Sequence, residues 1–208
     1  MPVIVVANPK GGVGKSTLAT QIAGFLAAAG HAVMLGDVDR QQSARQWLAL
    51  RNSVVPPLPT IRGWDVESDH VVRPPKGITH VVLDTPAGLH GKRLNAVMRI
   101  ADRLLIPLQP SLFDIQATHA FVQALREHAR GAEVTMGLVG MRVREHTLAN
   151  EHLHQYLSTL PVPVVAWLRD TQNYVQLAAH GLTLWDVARS RVERDLAQWE
   201  PLAAWVQR

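Results

Sequence analysis

An α/β fold, with a mostly parallel central sheet flanked by helices on both faces, follows from three features of this 208-residue sequence. Short apolar runs alternate with longer stretches of helical periodicity, the order that builds βα units and a parallel sheet. The first apolar run, Val3-Ile4-Val5-Val6-Ala7, leads into a glycine-rich loop and then a helical segment. Two later apolar runs end in aspartate, at Gly36-Asp37 and at Leu83-Asp84, which places carboxylates at the edge where open α/β sheets bind ligands.

The elements follow in order. The first strand is Val3 to Ala7. Its helix runs from about Ser16 to Ala29, because Leu18, Ile22, Phe25 and Leu26 recur on one face and Gly30 supplies a stop. A second strand covers Ala32 to Gly36, and a helix spans about Ser43 to Arg51 before the proline-rich stretch from Pro56 to Pro59. A weaker strand lies near Thr60-Ile61-Arg62. His80 to Asp84 is a strand, Leu94 to Ala101 a helix, Arg103 to Pro107 a strand and Asp114 to Arg130 a long helix. Val134 to Met141 is a strand, Leu148 to Thr159 a helix and Val162 to Trp167 a strand. Helical pieces at Tyr174 to His180 and Val192 to Gln207 close the chain. No repeat, low-complexity tract or linker divides it, so residues 1–208 read as a single domain.

Composition narrows the chemistry. An apolar fraction of 47% against 18% charged residues is that of a globular chain with a sizeable core. The absence of cysteine excludes disulfides, thiolate metal sites and cysteine nucleophiles. The apolar start has no basic region before it, and no apolar stretch reaches the roughly 20 residues that span a bilayer. The expectation is a cytoplasmic protein. A net charge of +4, carried mostly by arginine, suits a polyanionic partner without requiring one.

Lys10-Gly11-Gly12-Val13-Gly14-Lys15-Ser16-Thr17 carries the most specific chemistry. Its glycines let backbone N–H groups press against anionic oxygens, and the helix that follows adds the positive end of its dipole. Lys15 is placed to reach β- and γ-phosphates, the Ser16 hydroxyl to sit on Mg²⁺, and Thr17 to add a hydroxyl near the α-phosphate. Relative to the common phosphate-loop pattern, Pro9 stands where the first glycine falls and Lys10 is an additional cation. Asp37, Asp39 and Asp84 near a triphosphate suit a Mg²⁺ site and a water-positioning group; as turn or cap residues Asp37 and Asp39 would serve structure alone. The histidines show no metal-ligand spacing, since His152 and His154 are two apart and diverge on a helix.

These motifs together resemble the ParA/MinD family of ATPases. Lys10 to Thr17 is similar to their deviant Walker A box, and Asp37-Val38-Asp39-Arg40-Gln41-Gln42-Ser43 to their D-x-D-P-Q-x-S motif, with Arg40 where proline is usual. Val81 to Pro86 resembles their Walker B strand and switch, and Ile106 to Ser111 with Asp114 the strand and loop after it. Leu168-Arg169-Asp170 through Gly181 and Trp185-Asp186 resembles their carboxyl-terminal segment. The resemblance spans nearly the whole chain and is strongest to small plasmid-partition ParA proteins.

That resemblance implies a P-loop NTPase architecture and a Mg²⁺-dependent ATPase using ATP and ADP. Two subunits would close face to face over two ATP molecules. Lys10 would reach across to the partner's phosphates while Lys15 and Ser16 act in their own subunit. Catalytic roles fall on Lys10, Lys15, Asp39 and Asp37; nucleotide binding on Gly11, Gly12, Val13, Gly14, Lys15, Ser16, Thr17 and Arg142; the metal on Ser16, Asp84 and Asp39. Arg142 takes the place where relatives often carry asparagine at the adenine. DNA would be bound without sequence preference by exposed arginines, with Arg189, Arg191 and Arg194 the densest group among candidates that include Arg142, Arg144 and Arg169. The expected partners are a second copy, DNA, and a ParB-like or other adaptor that stimulates hydrolysis. No membrane contact is expected: Trp199, Leu202 and Trp205 fall at helical spacing for packing, Pro201 interrupts the tail, and Arg208 is the tail's one cation. The protein would associate with the nucleoid. Two function classes remain, a DNA-bound ATPase that moves DNA or a protein cargo such as a microcompartment or chemoreceptor cluster, and a MinD-like membrane-associated regulator.

Overall fold

The computed structural model describes residues 1–65, 74–144 and 147–208. Strands β1 (Val3–Val6), β2 (Val33–Asp37), β3 (Ile61–Trp64), β4 (His80–Asp84), β5 (Arg103–Leu108), β6 (Thr135–Val143) and β7 (Val164–Arg169) form one sheet in the order β3-β2-β4-β1-β5-β6-β7. Every pairing is parallel, so the sheet is more uniform than the mostly parallel one expected. The helices are α1 (Lys15–Ala28), α2 (Ser43–Asn52), α3 (Gly91–Ile100), α4 (Leu112–Glu127), α5 (Leu148–Leu157), α6 (Gln172–Ala178) and α7 (Arg189–Gln207), with a 3₁₀ turn at Leu184–Asp186.

Parallel strands covered on both faces need apolar residues at every position rather than every second one. In β1, Val3 and Val5 join a core layer with Leu94 and Val97 of α3, Ile115 and Val122 of α4 and Leu153 of α5. Ile4 and Val6 join the opposite layer with Leu18 and Ile22 of α1, Trp47 of α2, Leu177 of α6 and Trp199 of α7. Because β1 lies between β4 and β5, chain direction across the sheet reverses there, and the crevice beyond its carboxyl end is the natural ligand site.

The carboxyl-terminal segment locks onto α1 and α2. Arg51 forks onto Asp186, with donor–acceptor distances of 2.7 and 3.0 Å, and both side chains are almost wholly buried. Asp186 also closes a capping box on Thr183. Gln21 of α1 accepts from the Leu184 N–H at 3.0 Å, and the Thr183 side chain lies so close to Gly24 that a β-carbon there would come within 2.3 Å of it. Trp199, Leu202 and Trp205 are buried, as their spacing predicts. Helix α7 begins at Arg189, three residues before the Val192 start that its periodicity predicts, and Val192 interrupts it with a non-helical backbone.

Candidate nucleotide site

The glycine-rich loop is held at its base by one buried amide. Asn8, fully buried, donates from Nδ2 to the Pro107 carbonyl at 2.8 Å and to the Thr118 hydroxyl at 3.1 Å, and accepts at Oδ1 from the Lys10 N–H at 2.8 Å. Further along, Gly88 donates to the Pro9 carbonyl at 2.8 Å and Gln109 Nε2 to the Gly12 carbonyl at 2.7 Å. Gly14 is required by its backbone conformation, and its neighbour Met141 is packed close. The Gly14 φ of 96° lies in the left-handed region, and a β-carbon there would meet Met141 at 2.8 Å. Val13 is buried and is not among the residues that line the cleft.

Above the loop lies a cleft of about 770 Å³. Gly11, Gly12, Gly14, Lys15, Ser16 and Thr17 line one wall, and Asp39, Arg40, Pro86, Ala87, Arg93 and Arg142 line the others. The Lys15 ammonium donates to the Lys10 carbonyl at 2.6 Å. Burial lowers its pKa, and the charges of Asp84 and Asp39 oppose that shift. The Lys10 side chain is not among those lining its own cleft, and among the described residues no side chain pairs with its ammonium.

The aspartates separate into distinct environments. Asp37, at the end of β2, commits both oxygens to backbone: Oδ1 accepts from Asp39 N–H at 2.9 Å, and Oδ2 from Ala44 and Arg45 N–H at 2.8 and 3.2 Å. It therefore caps α2 and fixes the turn carrying Asp39. Asp39 lines the cleft, and its Oδ1 accepts from Gln41 N–H at 3.0 Å. Asp84 is 1% exposed, and among the described residues neither of its oxygens has a hydrogen-bond partner. Burial pushes its pKa up to about 7, with the Asp37 and Asp39 charges adding to the shift. Ser16 and Lys15 oppose it; Ser16 lies near enough to favour the carboxylate without closing a hydrogen bond of normal geometry.

An unpartnered buried carboxylate near the Lys15 amine and the Ser16 hydroxyl, both of which line the cleft, fits a hydrated divalent cation bound together with phosphate oxygens. Asp84 and Ser16 are the residues present to hold it, with Asp39 at the cleft wall. Among the described residues no three His, Asp or Glu side chains form a separate metal cluster.

Comparison with known proteins then fixes the relationship. The family model described as the CobQ/CobB/MinD/ParA nucleotide binding domain matches residues 4–184. The chain belongs to this family. Among curated proteins it is similar to the Maintenance of carboxysome distribution protein A of Gloeobacter kilaueensis, 37% identical over 119 residues, 54% of this chain and 51% of that protein. The chain thus spans about half the length of that relative. It is also similar to the chromosome-partitioning ATPase Soj of Thermus thermophilus, 28% identical over 67% of this chain and 68% of that one. Among solved structures, the MinD cell division protein of Aquifex aeolicus superposes with a TM-score of 0.77, covering 100% of this chain and 97% of that one at 18% identity, a likeness of fold.

Arg142, expected at the adenine, has an unusual backbone. Its φ of 52° is left-handed, at a break in the β6–β7 register, where asparagine is at ease and arginine costs about 1 kcal/mol or more. It lines both the main cleft and a second of about 460 Å³ shared with Gln109, Ser111, Arg144 and Asp170. Arg189, Arg191 and Arg194 lie exposed on the first turns of α7, away from the cleft lining. Arg144 is already paired with Asp170 at 2.7 Å and Arg169 with the buried Asp195 at 2.5 Å, which draws both into local structure. Sequence reasoning missed Asn8, Gln109 and Arg93. Their partners and neighbours lie on other elements, and no local spacing encodes that proximity.

Proposed function

We propose that this chain is a Mg²⁺-dependent ATPase that closes as a dimer over two ATP molecules, binds DNA without sequence preference, and drives partition of DNA. The observation that carries this reading is Asp84, buried and unpartnered near Lys15 and Ser16, which line a cleft of about 770 Å³. In that reading the loop N–H groups and Lys15 bind the β- and γ-phosphates. On binding, the triphosphate takes Lys15 from the Lys10 carbonyl to which it otherwise donates. The cation, held by Ser16 and by Asp84, supplies charge neutralisation to the phosphates. Asp39 orients the attacking water, and Asp37 acts as a positioning residue by fixing the Asp39 N–H. Lys10 serves the partner's site, a reading supported by its absence from the lining of its own.

The likeness to a carboxysome distribution protein favours a second reading, in which the same DNA-bound dimer positions a protein cargo through an adaptor. The apolar residues Trp199, Leu202, Trp205 and Val206 of α7 are buried in the core and so are not presented to a membrane surface. No helix among the described residues is long and apolar enough to cross a membrane.

The test is ATP turnover as a function of protein concentration, with sedimentation on DNA and on liposomes in ATP. Turnover per subunit should rise with concentration, and DNA, not liposomes, should retain the protein. Lys10→Ala should lower turnover while leaving nucleotide binding by the monomer intact. Asp39→Ala should abolish turnover. Normal hydrolysis by either variant rejects its assigned role.

A further inference from the structure

Arg40 is a cation beside a cleft built for an anion. It lines the same cleft as the glycine loop, it is exposed, and among the described residues no side chain or carbonyl pairs with its guanidinium. Its backbone is fixed. Asp37 Oδ1 holds the Asp39 N–H, Asp39 Oδ1 holds the Gln41 N–H at 3.0 Å, and the Asp39 carbonyl accepts from Gln42 N–H at 3.0 Å. The turn therefore presents the Arg40 side chain from a rigid base, with the side chain its one movable part.

The charges along the cleft say which part of a nucleotide it meets. Lys15 feels both Asp84 and Asp39, so those three mark the end where terminal phosphates sit. Arg40 directly follows Asp39 at that end. Arg142 lines this cleft too, but it shares a second cleft with Gln109 and Asp170. Arg93 adds positive charge along the wall shared by Pro86 and Ala87. Crowding cations round one cleft is unfavourable, and a bound polyphosphate relieves it.

We propose that Arg40 contacts the terminal phosphate of a bound nucleoside triphosphate from the same subunit, and so separates triphosphate from diphosphate. A guanidinium suits this task because its planar fork can meet two phosphate oxygens at once. The proposal rests on the nucleotide reading above, and the experiment keeps the two apart. Binding of Mg²⁺-ADP and of a Mg²⁺ complex of a non-hydrolysable ATP analogue is measured by titration calorimetry for the wild type, Arg40→Ala and Arg40→Lys. Arg40→Ala should bind the triphosphate analogue about tenfold more weakly and ADP within about threefold of wild type, and Arg40→Lys should fall between. Thermal melts of the variants should match the wild type, since the side chain is exposed. An equal loss for both nucleotides, or no loss for either, overturns the role of Arg40. A wild-type chain that binds neither nucleotide overturns the underlying reading and the proposal with it.

Discussion

Asp84 shows how one residue can trade stability for a site. Its carboxyl is nearly inaccessible and has no donor to either oxygen among the described residues, and burial pushes its pKa from the usual 3.8 up to about 7. A folded-state pKa above the unfolded value means that the native state holds the proton more tightly. Stability from this group is therefore complete below about pH 4 and is lost as pH rises to about 7. The shift corresponds to roughly 4 kcal/mol between those limits. Without nucleotide or divalent cation, Asp84→Asn should be more stable than the wild type at pH 8 by a few kcal/mol, and nearly equal to it at pH 4. Urea denaturation at the two pH values checks this. A wild type whose stability does not fall between them would show that Asp84 finds a partner in solution. Mg²⁺ with nucleotide should stabilise the wild type more than the variant. Asp37 is the contrasting case: with its oxygens committed to Asp39, Ala44 and Arg45 N–H groups, it serves the turn that carries Asp39 and Arg40.

At the scale of elements, what is legible in the sequence is local. The apolar run of β1, the glycines at 11, 12 and 14 and the periodicity of α1 are short-range signals, and the bounds that the sequence predicts for β4 are the observed ones, His80–Asp84. The order of the strands is not written locally, nor is the 3₁₀ turn at Leu184–Asp186 or the early start of α7 at Arg189. Those depend on pairs far apart in sequence, such as Arg51 with Asp186 and Gln21 with Leu184, which spacing does not reveal. The same holds for the site: Lys15, Ser16 and Asp84 are visible as motif residues, whereas the Asn8 link to Pro107 and Thr118 needs the fold. The Arg51–Asp186 pair should accordingly govern how α2 and the 3₁₀ turn hold together. Asp186→Ala leaves a buried guanidinium uncompensated and should cost about 3–5 kcal/mol. Replacing both partners, Arg51→Met with Asp186→Leu, should recover most of that loss. Denaturant midpoints for the single and double variants decide the matter, and a double variant as unstable as the single would point to the Thr183 cap as the essential bond.

For the whole molecule, the DNA-binding role proposed above and stability pull apart on α7. Arg189, Arg191 and Arg194 occupy its first turns, exposed, with no acidic residue in the first turn and no partner among the described residues. Cations in the first turn of a helix, here Arg189 and Arg191, oppose the dipole at about 0.3–1 kcal/mol each, so folding alone gives no reason for them to be there. A polyanion does, because each phosphate neutralised releases condensed counterions. The helix that carries them packs on β7 and, through Trp199, on Tyr174 of α6. The 3₁₀ turn immediately before it bonds to Gln21 of α1, whose first residues form the nucleotide loop. The cationic surface and the cleft are thus mounted on helices joined through one turn. Replacing all three arginines by alanine should weaken binding to random-sequence DNA. It should also lower the slope of log affinity against log salt, by roughly 0.9 for each phosphate that the variant no longer neutralises. The same variant should melt no lower than the wild type, and by the dipole argument slightly higher. Its nucleotide affinity should not change, because none of the three lines the cleft. DNA retention measured across a salt series, beside a thermal melt and a nucleotide titration, separates the outcomes. An unchanged salt slope places the DNA surface elsewhere, whereas a lower melting temperature means the arginines hold the helix in place.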